Sequence, residues 1–266
     1  MLWHEQRWTQ LEKMDKDTPV LIPLGSCEQH GHHLPVYVDT IQVTAIAERA
    51  EKALGKKVLL LPTLWLGSSH HHLDFPGTVS VLPSLYSQMI KSVANCILDA
   101  GFKRLLFLNG HGGNKVPAAQ ALSELVCESE KADDAYLLLC TWWELNPETY
   151  REGMEAEGVA HACEYETSLI LALRPELAAI DQIREGPMAL DNDWVKSEGP
   201  GSRVSVFRRF RRLTASGSMG KPTLATAQKG KRLLEAVTED VIRLVRELKE
   251  WPDLRVLGPD SSKSKH

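Results

Sequence analysis

The chain has 266 residues, 43% of them hydrophobic, enough to bury about 70 to 75% of the unfolded surface, which excludes disorder throughout and argues against two full-sized domains. With 31 Lys+Arg against 35 Asp+Glu, the net charge of −4 gives no general attraction for a phosphate backbone, so a nucleic-acid partner is not expected. The five cysteines are odd in number and lack CxxC spacing, which points away from a disulfide framework or a thiolate zinc site and toward a reducing cytoplasm.

At the N-terminus His4, Glu5, Gln6 and Arg7 interrupt any signal-peptide core, and no apolar run approaches the roughly 20 residues that span a bilayer, so an unexported, membrane-free protein is expected. Strand-like runs then recur at Val20 to Leu24, Val58 to Leu61, Arg104 to Leu108 and Tyr136 to Thr141. Between them, Val43, Ile46, Ala50 and Leu54 fall at helical spacing, with Asp39 or Thr40 as N-cap and Gly55 as stop. A second helix runs from Pro83 to Ala100, a third carries Ala118, Ala121, Leu122 and Leu125, and an amphipathic one covers Leu233 to Leu248. This alternation predicts an α/β fold with a mainly parallel sheet covered by helices on both faces, a single domain over residues 1–257. Residues 186–222, rich in Gly, Pro, Ser and Arg, read as loops with room for a short hairpin, and 258–266 as a frayed tail.

Eight of the ten histidines lie in four tight groups: His30, His32 and His33; His70, His71 and His72; His111; and His161. They sit near glycines or carboxylates, beyond predicted strands, where ligands bind in open α/β sheets. In Glu28-Gln-His30 the two outer residues point the same way if the backbone is extended, and Asp39 can fold back toward them. Carboxylate and imidazole suit Zn²⁺, Mn²⁺ or Fe²⁺; the bland alternative is a solvated polar loop. In Asn109-Gly-His111-Gly112-Gly113-Asn114 three glycines surround one histidine, which packing does not require but close approach of backbone to a metal or substrate does. In His161-Ala-Cys-Glu164-Tyr-Glu166, the two glutamates would diverge by roughly 200° inside a helix, so both serve one site only if Glu164 precedes the first turn. Acidic capping of a helix N-terminus is the alternative there.

Taken together, Pro23 through Gly31, Leu34-Pro35, Asp39-Thr40, Phe75-Pro-Gly-Thr78, Asn109 through Asn114, His161 through Ser168 and Gly217 through Pro222 resemble the creatinine amidohydrolase (creatininase) family over about residues 5 to 250. The resemblance implies a creatininase-type α/β fold, a homo-oligomer, commonly a hexamer, and two adjacent divalent metal ions, zinc with manganese or iron. Carried over by motif position, Glu28, Asp39 and His111 hold one metal, and His30, Asp39 and a further carboxylate the other. Creatinine-hydrolysing members bear that carboxylate where this chain has Gly113, and Glu164 is the expected substitute. His161 matches the proton-transfer histidine, with Glu166 orienting it. Ser69, His72, Gly112 and Gly113 match substrate-facing positions.

Two metals about 3.5 to 4 Å apart acidify a bridging water and polarise a carbonyl, and an amide nitrogen then needs a proton donor to depart. The expected activity is therefore hydrolysis of a carbon–nitrogen bond in a small cyclic amide, formamide or peptide-like substrate by a metal-bridging hydroxide. Creatinine itself fits poorly, because Gly112-Gly113 and Glu157 stand where creatinine-hydrolysing members have Tyr-Glu and an aromatic residue. The Gly-Gly pattern resembles the branch with formamide deformylases and cofactor-precursor peptidases. Two rivals remain: a carbon–carbon hydrolase of a cyclic keto-sugar, and a metal-binding member without activity.

Overall fold

The computed structural model describes residues 1–186, 188–196 and 203–254. In chain order, the helix α1 (Trp8–Lys13) leads into strand β1 (Val20–Leu24), helix α2 (Val38–Leu54), strand β2 (Leu59–Leu60) and helix α3 (Pro83–Asp99). Strand β3 (Arg104–Asn109), helices α4 (Lys115–Glu128) and α5 (Glu130–Asp133), and strand β4 (Tyr136–Thr141) follow. Helices α6 (Pro147–Arg151), α7 (Glu164–Leu173) and α8 (Ala227–Glu250) complete the described elements.

The strands form one parallel sheet in the order β2-β1-β3-β4, with Leu21 opposite Leu60 and Leu106, and Leu106 opposite Leu138. Leu21, Leu106 and Leu108 pack with α2 and α8 on one face, whereas Val20, Ile22, Leu24, Leu105 and Phe107 pack with α3 and α4 on the other. Such near-continuous apolar strands are what a sheet buried on both sides demands, so the expected helix-sheet-helix layering holds. Pro23 fits in the interior strand β1 because its carbonyl accepts from Leu64 while its nitrogen, on the same side, lies beyond the residues that β2 pairs.

Several boundaries differ from the sequence reading. Helix α2 begins at Val38, so Asp39 and Thr40 sit in its first turn and neither caps it; Tyr37 does. The Thr40 hydroxyl instead donates to the Ser26 carbonyl (2.8 Å) and accepts from the Ser26 N–H (3.1 Å), tying the end of β1 to α2. Gly25 allows this approach, since a Cβ there would lie 2.3 Å from Thr40 Oγ1. Helix α8 starts at Ala227, with Thr226 accepting from Lys229 N (3.2 Å); its first turns include Gly230 and lack apolar periodicity, which hid them from a pattern search. Within 186–222 the described residues contain no strand, only the 3₁₀ turns Phe210–Arg212 and Pro222–Leu224. The tail expected at 258–266 lies outside the described residues, and among these no helix is long and apolar enough to cross a membrane.

Candidate metal centre and active site

All four groups of histidines meet beyond the carboxyl ends of the parallel strands, where β1 delivers Glu28 and His30, β3 delivers His111, and the chain after β2 delivers His71 and His72. Asp39 comes from the first turn of α2. His161 precedes α7, Glu166 sits in its first turn, and between them Ala162 has a left-handed backbone (φ 49°), a conformation a non-glycine residue holds only where its surroundings enforce it. The antiparallel pairing of His161 with Met219 does so (N···O 3.2 and 2.7 Å).

Asp39 is the centre of the arrangement. Its Oδ1 lies 3.1 Å from His30 Nε2 and its Oδ2 3.1 Å from His111 Nδ1. Glu28 faces His111 through Oε2 (3.3 Å) and both His72 (3.4 Å) and His161 (3.6 Å) through Oε1. Glu166 Oε1 stands 3.8 Å from His30 Nε2, while its Oε2 accepts from the Ala162 N–H at 2.5 Å. Glu28, Asp39 and Glu166 are all at most 5% exposed, and the ion pairs they make are with histidines.

Three buried carboxylates in one place need cationic compensation. Yet Glu28 Oε2, His30 Nε2 and Asp39 Oδ2 are buried without a hydrogen bond, although possible partners stand close by. His30 Nδ1 donates to the Glu28 carbonyl (3.1 Å), leaving the Nε2 lone pair aimed between Asp39 and Glu166, as in metal-bound histidines whose other nitrogen is tied to a carbonyl. The sets His30, Asp39, Glu166 and Glu28, His71, His111 each offer ligand atoms within 4.8 Å of one another. Imidazole and carboxylate in these proportions fit two borderline divalent cations.

The titration behaviour of the cluster has the same origin. Burial opposes charge on His30, but Asp39 and Glu166 raise its pKa well above the ordinary imidazole value. His111, equally buried, is pushed up to about 10 by Glu28 and Asp39. Burial favours the neutral acid at Asp39 and at Glu28, yet His30 and His111 hold Asp39, and His111 and His161 hold Glu28, below the usual carboxylate range. The three carboxylates thus draw positive charge toward the imidazoles beside them. His161 is lowered instead, by burial and by His30.

Glu164 is not brought into this cluster. It is the first residue of α7 rather than a residue before it, so the divergence expected within a helix separates it from Glu166. Its carboxylate accepts from Glu155 N (3.1 Å) and Ala156 N (2.7 Å) and pairs with Lys229 Nζ at 2.5 Å. Glu166 points to His30 in its place and makes no hydrogen bond to His161. The Gln29 carbonyl instead fixes His161, accepting from Nε2 at 2.7 Å, so that Nδ1 carries the lone pair facing Glu28. The Gln29 side chain donates from Nε2 to His72 Nδ1 (2.9 Å) and to the Gly217 carbonyl (3.0 Å). Ser69 is fully buried, its hydroxyl bonded to His111 Nε2 (3.1 Å) and to Ser26, while Gly112 and Gly113 line the cavity.

Two contributors escape sequence reasoning. Gln29 hides between two ligand-type residues. Phe210 comes from the Arg-rich stretch and stacks on His72 (ring centroids 4.1 Å) and edge-on against His161 (4.6 Å). Flanking arginines pin it: Arg209 pairs with Asp74 (2.6 Å), and Arg211 lies over the Phe75 ring (4.4 Å). The lone aromatic in Arg209-Phe210-Arg211 was the available signal.

Residues 4–245 match the family model described as creatininase, creatinine amidohydrolase. The chain belongs to the creatininase family. Among curated relatives, the mycofactocin precursor peptide peptidase of Mycobacterium ulcerans is 31% identical, covering 88% of this chain and 87% of the relative. The creatinine amidohydrolase of Pseudomonas putida is 26% identical (89% and 91%), and the 3-dehydro-scyllo-inosose hydrolase of Thermotoga maritima 29% (90% and 80%). A zinc–zinc form of a mutant creatininase superimposes with a TM-score of 0.78 at 25% identity, over 92% of this chain and 97% of that one. The α/β architecture is accordingly that of creatininases.

Proposed function

We propose that this creatininase-family chain is a dinuclear metal-dependent amidohydrolase that cleaves a carbon–nitrogen bond in a small cyclic amide, formamide or peptide-like substrate. The observation that carries the reading is Asp39, whose two oxygens face His30 and His111 at equal distances, the disposition of a bridging carboxylate. His30, Asp39 and Glu166 would hold one cation, and Glu28, Asp39 and His111 the other, with zinc, manganese or iron suited to the donors. The chemistry such a pair supplies when bound is acidification of a water and polarisation of the scissile carbonyl.

The remaining work falls to this chain's side chains. His161, held by the Gln29 carbonyl, presents a basic Nδ1 to the cavity, where it takes a proton from the attacking water and returns it to the leaving nitrogen. His72, whose Nδ1 accepts from Gln29, directs Nε2–H toward Glu28 and keeps that carboxylate oriented. Phe210 shields both imidazoles from solvent. The cavity of about 310 Å³ shares Trp143 and Val159 with a neighbouring one of about 360 Å³, which favours a substrate longer than a single small ring and supports the peptide-like option. The peptidase name of the Mycobacterium relative points the same way. A cytoplasmic homo-oligomer, a hexamer, is part of the same reading, and light scattering in solution tests it.

A second reading is hydrolysis of a carbon–carbon bond in a cyclic keto-sugar, favoured by the name of the Thermotoga relative. Assay of metal-loaded protein against lactams, formamides, short peptides and keto-inositols separates the two, because the amide reaction alone releases an amine. Turnover of the keto-inositols only would replace the first reading with the second. A metal-loaded protein that turns over no panel member would leave a metal-binding, inactive member.

A further inference from the structure

Residue 113 cannot supply a ligand here, and the reason is packing as well as chemistry. A Cβ on Gly113 would lie 2.3 Å from the Ser68 carbonyl oxygen, 2.5 Å from His111 Nε2 and 2.8 Å from His71 Cε1. The space in front of His111 is therefore filled by backbone and by the His71 ring. That ring lies nearly parallel to His111, with 14° between planes and 5.8 Å between centroids.

The three consecutive histidines of this loop have different commitments. His70 Nδ1 bonds Ser80 Oγ (2.8 Å), and His72 uses Nδ1 on Gln29 and directs Nε2 at Glu28. His71 lines the cavity, and among the described residues neither of its ring nitrogens makes a hydrogen bond or ion pair. One of them lies within 4.8 Å of both a Glu28 carboxylate oxygen and a His111 ring nitrogen. Ligands about 2.1 Å from a tetrahedral cation stand about 3.4 Å apart, a difference that a modest rotation of a side chain free of hydrogen bonds closes.

We propose that His71 is a direct ligand of the divalent cation held by Glu28 and His111, its ring occupying the space beside His111 that a side chain on residue 113 would need. The proposal rests on the dinuclear reading above. It gives the Glu28 side two imidazoles and the His30 side one imidazole with two carboxylates. The two positions then differ in softness, the Glu28 side favouring zinc or cobalt and the His30 side manganese or iron.

Cobalt(II) titration of chelator-treated, full-length protein, read by visible absorption and by metal content after dialysis, tests this. Wild type is expected to bind close to two ions per chain. His71→Ala should hold one of them at least about tenfold more weakly, with an altered ligand-field band, while His70→Ala leaves both unchanged. Two ions bound by His71→Ala at wild-type affinity with an unchanged band would overturn the assignment. No binding by wild type would instead remove the dinuclear reading itself. If His71→Ala loses its fold by circular dichroism, a cobalt-soaked crystal of the wild type decides the matter: a His71 nitrogen within about 2.3 Å of the ion supports the proposal, and a ring turned away from it refutes it.

Discussion

Glu164 and Glu166 stand two residues apart in the first turn of α7, yet one carboxylate meets Lys229 at 2.5 Å and the other faces His30 at 3.8 Å. About 200° of helix rotation therefore separates a stabilising ion pair from a candidate metal ligand. Glu166→Gln is expected to reduce bound divalent metal and lower kcat/KM by about 100-fold or more, with a modest change in Tm. Glu164→Gln should leave metal content intact. It takes from Lys229 its buried charge partner but leaves Glu155 (3.0 Å) and the Leu224 carbonyl (2.8 Å), so the expected cost is about 1 to 2 kcal/mol, a fall in Tm of roughly 2 to 6 °C for a chain of this size. Metal analysis together with thermal unfolding distinguishes the two variants, and the reverse pattern would return Glu164 to the metal site.

Removing bound metal should destabilise the fold, because Glu28, Asp39 and Glu166 are buried together and rely on cationic neighbours. A ligand that binds only the native state at 100 times its dissociation constant contributes about 2.7 kcal/mol. Chelation is thus expected to lower Tm by several degrees and added zinc or manganese to restore it in a concentration-dependent way. In Asp39→Asn the restoration should be largely lost, since the residue serves both positions. Differential scanning calorimetry with and without chelator gives the answer.

Much of this arrangement was legible in the residues. The strands β1 and β4 and the helix α3 follow directly from apolar runs and stop signals, because burial on both faces of a parallel sheet leaves a plain hydrophobic record. Glu28, His30, Asp39, His111 and His161 were recognisable as a set because acids and imidazoles cluster beside strand ends. Glu164 was misplaced because one residue in the start of a helix rotates a side chain by about 100°, below the resolution of any boundary read from pattern. Gln29 and Phe210 left little trace because their roles depend on contacts over long sequence separations, from Gln29 to Gly217 and from Phe210 to His72.

The acid limb of the rate profile should report His161. Burial and charge at the His30 position lower its pKa below the ordinary value of 6.5, and in the loaded enzyme a cation there would act in the same direction. The neutral form is the base, so kcat/KM should fall as pH drops through a pKa lower than 6.5. In His161→Asn that limb should vanish along with about 10² to 10⁴ of the rate, while metal content persists. Activated anilides or esters, whose leaving groups need no proton, should lose less. Equal losses for amide and ester substrates would remove His161 from the proton transfer.

Stability should also decline in mild acid, for a reason other than loss of metal. His33 is buried against Thr167, with Nε2 3.0 Å from Oγ1 and Nδ1 unpaired, and burial followed by the charge on His30 lowers its pKa from 6.5 to about 4. The unfolded chain therefore binds a proton that the native state refuses between these values. Its contribution is complete above about pH 6.5 and is lost as pH falls toward 4, amounting to roughly 2 to 3 kcal/mol. Urea unfolding at pH 7 and pH 4.5 should show a smaller loss for His33→Asn than for wild type. Parallel pH dependences in the two proteins would assign the acid sensitivity elsewhere.

Phe210 is only 6% exposed but belongs to none of the three apolar clusters of the core, its ring resting on His72 and His161 instead. A Phe-to-Ala change inside a core costs about 3 to 5 kcal/mol; here the cavity created opens to the site, so the expected loss in Tm is small. What should change is the environment of the imidazoles. With the ring gone, water reaches His161, its pKa returns toward 6.5, and the acid limb of the rate profile moves up while kcat/KM drops by about tenfold or more. Arg209→Ala removes only the exposed pair with Asp74, worth at most about 1 kcal/mol, and should give a weaker version of the same shift that high salt reproduces in the wild type. A large fall in Tm with an unmoved acid limb in Phe210→Ala would show that the ring supports the fold and not the chemistry.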